Sequence, residues 1–292
     1  LAGERGIPCI DIGKKCNVNL QITGENELRT GGIRVPDSSV LTVVGDGNLT
    51  INLNSGKYFG IGNSLDEYHG ELNFYQDGGI IINANGMKGI GIGSGLGGVI
   101  NIKRGHYEFD MKGQEGACIG SVNGDSELFI EYCDMDIYSG ISNGTIIGSV
   151  NGDADIKLEN ISAKLQGAGN VITGIGTIAG NSCMVRLENV NISSNIRAKE
   201  CYGIGCRAGR TDIYIGYAAV KSVVQGKSAV AFGNSVMSAK LYCSNADVGT
   251  NAVTEFNSDI GALEKNIQLE NGRAEFILNG QEVKRQILAA RL

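Results

Sequence analysis

The sequence predicts an all-β protein, a right-handed single-stranded parallel β-helix with about 28 residues in each coil. Two patterns support this fold, a glycine motif and a set of short strand-like segments, which recur along the chain at nearly the same interval. A fixed period of this length is typical of solenoid repeat proteins. The composition agrees, because 45 glycines, 2 prolines and 42% hydrophobic residues describe a chain that turns often and still builds a core.

The glycine motif consists of an apolar residue, a glycine and a small residue. Its copies begin at Ile92, Ile119, Ile147, Ile175, Ile204, Phe232 and Ile260, and subtracting consecutive positions gives steps of 27, 28, 28, 29, 28 and 28. An earlier copy, Ile61-Gly62-Asn63, precedes the first by 31 residues. Stacked coils would place these apolar residues in one inward column. The glycine after each would supply a backbone with φ > 0 or leave no room for a Cβ.

The strand-like segments have apolar residues at alternate positions, which predicts short strands with one buried face. They begin at Leu72, Ile100, Leu128, Ile156, Val185, Ile213, Ala239 and Ile267. A weaker third set begins at Tyr107, Met135, Ala163 and Ala274. Three short strands in each repeat, separated by Gly, Asn and Asp turns, predict a triangular coil. Helical repeats do not fit this spacing of two, and propellers and leucine-rich repeats have other periods.

A recurring Leu-Glu-Asn sequence indicates where one corner of the coil lies. It occurs at residues 158–160, 187–189 and 269–271. Asn is a common turn residue, and stacked Asn side chains can form a ladder of amide hydrogen bonds. The sequence therefore predicts an Asn ladder along one corner of the solenoid.

The chain is predicted to be a single β-helix domain over residues 1–292. Residues 1–60 are expected to form the N-terminal coils and cap, and residues 61–280 the regular repeats. In residues 281–292, Val283, Ile287, Leu288 and Leu292 have helical spacing without Gly or Pro. This segment is predicted to be a short helix that caps the solenoid or begins a linker, because an open solenoid end exposes core and strand edge.

Charge and hydropathy exclude two classes of partner for this domain. The net charge is -6 and no basic stripe occurs, which argues against nucleic acid, since phosphate binding depends on clustered Lys and Arg. No apolar run approaches the roughly 18–20 residues of a membrane span, so no membrane insertion is expected.

Eight cysteines lie mostly in strand-like segments and none has CxxC spacing: Cys9, Cys16, Cys118, Cys133, Cys183, Cys201, Cys206 and Cys243. Free Cys packs as a small hydrophobe, so reduced core thiols are favoured over a disulfide framework. Residues 1–12 lack the pattern of a signal peptide. A secreted or cell-surface location and a cytoplasmic one within a larger protein both stay open, as does the oligomeric state.

Two identical hexapeptides, Gly-Ser-Val-Asn-Gly-Asp, start at Gly120 and Gly148. If they occupy one corner, Asp125 and Asp153 stack about 5 Å apart on adjacent coils. Two carboxylates at that distance could recruit Ca²⁺, which is the only cofactor that the sequence suggests. The alternative is that Asn-Gly-Asp is ordinary turn chemistry, and it is favoured because the equivalent corner two coils later carries Arg210.

Tyrosines recur in strand-like segments of several coils, at Tyr107, Tyr132, Tyr138, Tyr214, Tyr217 and Tyr242. Exposed Tyr rings are flat surfaces on which sugars stack, whereas inward Tyr rings are core. Tyr132 and Tyr138 are the predicted aromatic binding residues, beside Asp125 and Asp153. No catalytic residue is predicted, because no GxSxG motif occurs and His69 and His106 are isolated from each other and from any zinc-like Cys spacing.

The Gly-Ile-Gly-Ser turns and alternating strands resemble those of the β-helical Gly-rich repeat proteins of gut Firmicutes, which are carbohydrate-binding or adhesin-like. They also resemble, more distantly, the pectate-lyase superfamily of β-helices. The resemblance covers residues 6–280 and is one of solenoid pattern. It implies a carbohydrate partner, but no family motif matches positions here, so no catalytic residue is transferred.

Three functions follow as hypotheses. The first is a non-enzymatic binding or scaffold module for carbohydrate, because no coil carries a long polar insertion in which solenoid active sites usually form. The second is a polysaccharide lyase or hydrolase with a groove near Asp125 and Asp153. The third is a ligand-sensing or assembly module of a larger intracellular regulatory protein. An enzymatic activity is less expected than binding.

Overall fold

The computed structural model describes residues 7–256 and 267–288 and shows an all-β parallel solenoid of about 8 turns, with about 28 residues per turn and no helix among these residues. The strands are β1 (Ile10–Asp11), β2 (Asn17–Ile22), β3 (Glu25–Arg29), β4 (Ile33–Arg34), β5 (Val40–Gly45), β6 (Asn48–Gly62), β7 (Glu71–Gln76), β8 (Gly79–Ser94), β9 (Gly97–Ile102), β10 (Gly105–Ser121), β11 (Asp125–Glu131), β12 (Cys133–Ser149), β13 (Ala154–Glu159), β14 (Ser162–Thr177), β15 (Ser182–Glu188), β16 (Asn191–Cys206), β17 (Arg210–Gly216), β18 (Ala219–Gly233), β19 (Ala239–Phe256), β20 (Ile267–Leu278) and β21 (Gln281–Leu288).

The register between coils confirms the repeat. Ile119 pairs with Ile147 and Ile147 with Ile175, in parallel ladders that continue to Ile204 and Phe232. Toward the N-terminus the same column contains Ile92, Ile61, Ile33 and Ile10, so the shorter first coils share the stacking of the regular ones. The predicted copy of the motif at Ile260 lies outside the described residues.

From β5 to β18 each coil contains one short and one long strand rather than three short ones, and in β19 the two are continuous. In β10 the predicted third strand and the next glycine motif form one 17-residue strand. Burial alternates in its first half, but residues 116–121 are all buried. Val122, Val150 and Ile178 of the following turns form a small second cluster with Ile90, which covers the outer side of these strand ends. The chain therefore bends while its backbone pairing to the neighbouring coils continues.

The motif glycines meet both conditions that the sequence predicted. Gly120 and Gly148 have φ values of +129° and +133°. A Cβ built on Gly120 would lie 1.9 Å from the carbonyl oxygen of Gly148, and one on Gly148 would lie 1.9 Å from that of Gly176. A distance so short excludes any side chain, so glycine at this column is a requirement of coil stacking.

The C-terminal helix prediction for residues 281–292 is wrong where the structure describes them. Residues 281–288 form β21, which pairs antiparallel with β20. The two strands are joined at Asn279 and Gly280, which have φ values of +49° and +79°, as a two-residue hairpin turn requires. Pairing of β21 satisfies backbone groups at the edge of β20, and this outweighs the helical spacing of the apolar residues. Residues 289–292 lie outside the described residues.

One hydrophobic cluster runs through the solenoid from Ile22 to Phe276. All eight cysteines are free thiols, and six of them are buried. Burial raises the pKa of the Cys118 and Cys133 thiols to about 12, so both are protonated at neutral pH. These cysteines therefore behave as small apolar side chains of the core.

Candidate functional site

The candidate site lies at the corner that follows each short strand. Equivalent residues of six successive coils occupy this corner, and we call them the corner column: Tyr132, Asn160, Asn189, Tyr217, Asn245 and Asn271. Their equivalence follows from the ladders on both sides, in which Glu131 pairs with Glu159 and Asp134 with Ser162. Every member has a left-handed backbone, with φ between +47° and +54°.

Asparagine suits this backbone, whereas tyrosine does not. Asn adopts the left-handed region more readily than other residues with a Cβ, and a bulky side chain there stores strain of about 1 kcal/mol or more. The conformation is held by backbone bonds to the next coil. The amide of Tyr132 donates to the Glu159 carbonyl at 3.1 Å, and that of Tyr217 donates to the Ser244 carbonyl at 3.0 Å. Hydrogen bonding between the coils therefore fixes the strained left-handed backbone at both tyrosines.

Both tyrosines are also exposed to solvent. The Tyr132 side chain is 62% exposed and that of Tyr217 is 64% exposed. Since neither ring is buried in the core, packing does not account for a tyrosine at these two positions. An observed backbone outlier with no packing reason is grounds for a functional hypothesis.

The corner column from Tyr132 to Asn245 forms one rim of an open groove of about 1140 Å³, which we call the corner groove. Its floor is apolar, and from Ile161 onward its side chains become smaller along the chain: Cys133, Ile161, Val190, Ala218, Ala246 and Gly272. Its second rim is polar except at Ala219 and contains Asp134, Ser162, Asn191, Ala219, Asp247 and Arg273. Because each row has one residue per coil, the groove runs along the solenoid axis.

The two asparagines between Tyr132 and Tyr217 are hydrogen-bonded to each other. Asn189 Nδ2 donates to Asn160 Oδ1 at 2.5 Å, which confirms the predicted Asn ladder for this pair. An amide offers two donor hydrogens and an acceptor oxygen with two lone pairs. The ladder uses only part of this capacity, so the remainder can serve a ligand in the groove.

The groove lining carries little positive charge. Among its described residues the charged side chains are Asp134, Asp247 and Arg273. The Arg273 guanidinium donates to the Glu275 carboxylate at 2.6 Å, so its charge is already compensated. The electrostatic balance of the groove is therefore neutral to acidic.

Tyr138, the second predicted aromatic residue, does not line the corner groove. It lies on the outer face of β12, half-buried, where the Lys112 ammonium is 5.9 Å from its ring centroid. Lys112 Nζ also donates to Asp110 at 2.9 Å. Tyr132 and Tyr138 are thus on different faces of one coil, and they do not form a common surface.

Asp125 and Asp153 lie together on adjacent coils, as predicted, but in a separate groove of about 770 Å³. Asp125 Oδ1 accepts from the backbone amide of Asp153 at 2.8 Å. Asp153 Oδ1 accepts from the amides of Asn181 at 2.6 Å and Ser182 at 3.0 Å. These carboxylates hold the turns of successive coils together. Within residues 7–256 and 267–288, no group of three or more His, Cys, Asp or Glu side chains could hold a metal ion.

Replacing Asp153 by alanine is expected to lower the free energy of unfolding by about 1 kcal/mol, because two backbone amides lose their acceptor. Asp153→Asn keeps an oxygen at the same place and is the matched control, with an expected change below about 0.5 kcal/mol. Urea denaturation measures both. Equal losses in the two variants would show that the charge, rather than the acceptor, matters at this turn.

Three other tyrosines that the sequence pointed to lie outside the corner groove. Tyr107 is fully buried in the core. Tyr214 and Tyr242 stack on each other on the outer face of β17 and β19, with ring centroids 4.9 Å apart and planes inclined by 7°. Tyr217 is the site residue that the sequence prediction missed. The signal existed, because Tyr132 and Tyr217 occupy the position of Asn in the Leu-Glu-Asn repeats.

The fold and the corner groove together define a parallel β-solenoid with an open surface groove along its axis. No family model, curated protein or solved structure matches this chain. In the part of the chain that the structure describes, no helix has the length and apolar character to cross a membrane.

Proposed function

We propose that this protein is a non-enzymatic binding module and that its corner groove binds carbohydrate. One observation carries the proposal: two exposed tyrosines, Tyr132 and Tyr217, stand in strained left-handed conformations in a column where asparagine is otherwise used. Residues that reduce stability without a packing role are typical of binding sites.

The chemistry of the groove suits sugars. A Tyr ring has a broad apolar face and a polar hydroxyl, which match the apolar C–H face and the hydroxyl edge of a sugar ring. The Asn160 and Asn189 amides can donate to and accept from neighbouring hydroxyl groups. An apolar floor with a few convergent polar groups is the usual composition of a small-molecule site.

The lyase or hydrolase hypothesis has less support. It needs two carboxylates that face one groove and are available for acid and base chemistry. Asp125 and Asp153 instead accept backbone hydrogen bonds from the next coil. We therefore place the functional site at the tyrosines and assign the aspartates a role in the turns.

The variants Tyr132→Asn and Tyr217→Asn test the proposal. Each is expected to weaken binding to a retained polysaccharide by at least about tenfold, which corresponds to about 1.4 kcal/mol. The measurement is affinity gel electrophoresis on a panel of polysaccharides, followed by calorimetry with those that retard the parent protein. Tyr75→Asn is the matched control, because Tyr75 is also exposed but lies on β7, outside the groove. If no polysaccharide retards the parent, or if the double variant binds like the parent, the proposal is wrong.

The same two substitutions are expected to stabilise the protein. Asn relieves the left-handed strain that Tyr imposes, so each should raise the free energy of unfolding by roughly 0.5–1 kcal/mol. Tyr75→Asn should instead be neutral or destabilising, because Tyr favours strands and Asn does not. Urea denaturation of the three single variants measures this. A loss of stability in Tyr132→Asn and Tyr217→Asn would mean that the tyrosines are there for packing.

A further inference from the structure

We infer that the ligand of the corner groove is a neutral, extended, β-1,4-linked polysaccharide that lies parallel to the solenoid axis, with one sugar over each coil. The inference rests on the proposed carbohydrate function and specifies the class of ligand. It is supported by the direction and period of the groove, the positions of the two tyrosines and the charge of the lining.

The direction of the ligand follows from the register of the coils. Every row of the groove contains one residue per coil, and successive coils are about 4.8 Å apart. An extended β-1,4-linked chain advances by a similar distance for each sugar, so one sugar can lie over each coil along the groove. An α-1,4-linked glucose chain curls and would leave a straight row after a few sugars.

The length of the recognised segment follows from the tyrosines. Tyr132 and Tyr217 are separated by Asn160 and Asn189, and are therefore three coil steps, or about 14 Å, apart. A four-sugar segment would stack its first and last rings on the two tyrosines and present its middle hydroxyl groups to the two amides. A segment of three sugars reaches only one tyrosine.

The charge of the ligand follows from the lining. Asp134 and Asp247 face the groove, and Arg273 is paired with Glu275. Glu188, the residue before Asn189, is exposed beside the same corner. A polyanion such as polygalacturonate would meet repulsion along the groove, and Arg273, the cation among the described lining residues, is already paired. A neutral chain avoids this repulsion.

The two tyrosines should act as linked contacts. Once one end of a chain is stacked on Tyr132, the other end is held near Tyr217 at a high effective concentration. Affinity should therefore rise sharply at the chain length that bridges them, rather than gradually with each added sugar.

The experiment is calorimetry with neutral β-1,4-linked gluco-, manno- and xylo-oligosaccharides of two to six sugars. For at least one series we expect an increase of tenfold or more between three and four sugars and little change beyond. Tyr217→Asn should remove this step, so that the four-sugar ligand binds like the three-sugar ligand. Tyr75→Asn should retain it. The α-1,4-linked glucose series and polygalacturonate should bind at least tenfold more weakly.

The outcomes separate this inference from the proposed function. If neutral β-1,4-linked chains bind without a step at four sugars, or if polygalacturonate or the α-1,4-linked series binds as well, the ligand class is wrong while carbohydrate binding stands. If binding persists in the Tyr132→Asn/Tyr217→Asn double variant, or if no carbohydrate binds, both the inference and the proposed function are overturned.

Discussion

Replacing Gly148 by alanine is expected to lower the free energy of unfolding by about 3 kcal/mol or more, a large effect for the addition of one methyl group. Gly148 has a φ of +133°, and its added Cβ would lie 1.9 Å from the Gly176 carbonyl oxygen. The backbone of the adjacent coil must move to make room, and that displacement breaks the parallel ladder between β12 and β14. Backbone strain and the loss of backbone hydrogen bonds therefore both lower the free energy of unfolding.

Gly249→Ala is the matched control for this prediction. Gly249 also lies in a strand, β19, but no heavy atom lies within 4 Å of the position that an added Cβ would take, and its φ is not in the positive region. The change is expected to lie within about 0.5 kcal/mol, or to stabilise slightly by restricting the unfolded chain. Urea denaturation followed by circular dichroism measures both variants. Similar losses at the two glycines would contradict the role given to the motif glycine in coil stacking.

The fold was predictable because equivalent positions of every coil have the same packing requirements. Ile119, Ile147 and Ile175 pair with one another, and any residue at that position faces an identical neighbour above and below. Selection for one side chain is thus repeated along the chain and becomes visible as a period. The division of a coil into short and long strands was less visible, because the turns that cover β10 are themselves apolar.

The C-terminal hairpin was missed because two local signals conflicted. The spacing of Val283, Ile287 and Leu288 is helical, whereas Asn279-Gly280 is a strong signal for a two-residue hairpin. Periodicity over a segment of 12 residues is a weak indicator beside an open strand edge, whose backbone groups require partners. The end of a solenoid is therefore better predicted from its turn residues than from its apolar pattern.

The site was predictable only in part. Asn160 and Asn189 were expected at a corner from their repeat, and Tyr132 was expected from its chemistry. Tyr138 follows the inward residue Met135 by three positions, which places it on the outer face of the strand, away from the corner groove. What the sequence could not show is that Tyr132 and Tyr217 have a left-handed backbone, since that depends on the stacked corners.

Acidification from pH 7 to pH 4 is expected to destabilise the protein through His69 by about 3 kcal/mol. Burial lowers the pKa of His69 from 6.5 to about 4, and the hydrogen bond from Nδ1 to the Gly70 carbonyl opposes this shift only in part. Nε2 has no hydrogen-bond partner among the described residues, which suits a neutral ring. Well above pH 6.5 the imidazole is neutral in both the folded and the unfolded chain, so His69 adds no pH dependence there.

Below pH 6.5 the unfolded chain takes up a proton that the folded protein does not, so stability falls as the pH falls and the loss levels off near pH 4. Carboxylates also titrate in this range, and the comparison with His69→Asn removes their contribution. The difference in unfolding free energy between parent and His69→Asn, measured by urea denaturation at several pH values, should shrink by about 3 kcal/mol between pH 7 and pH 4. His106→Asn, which replaces an exposed imidazole, is the matched control for the substitution itself. If the parent and His69→Asn lose the same amount of stability between pH 7 and pH 4, then solvent reaches His69 and protonates it in the folded protein.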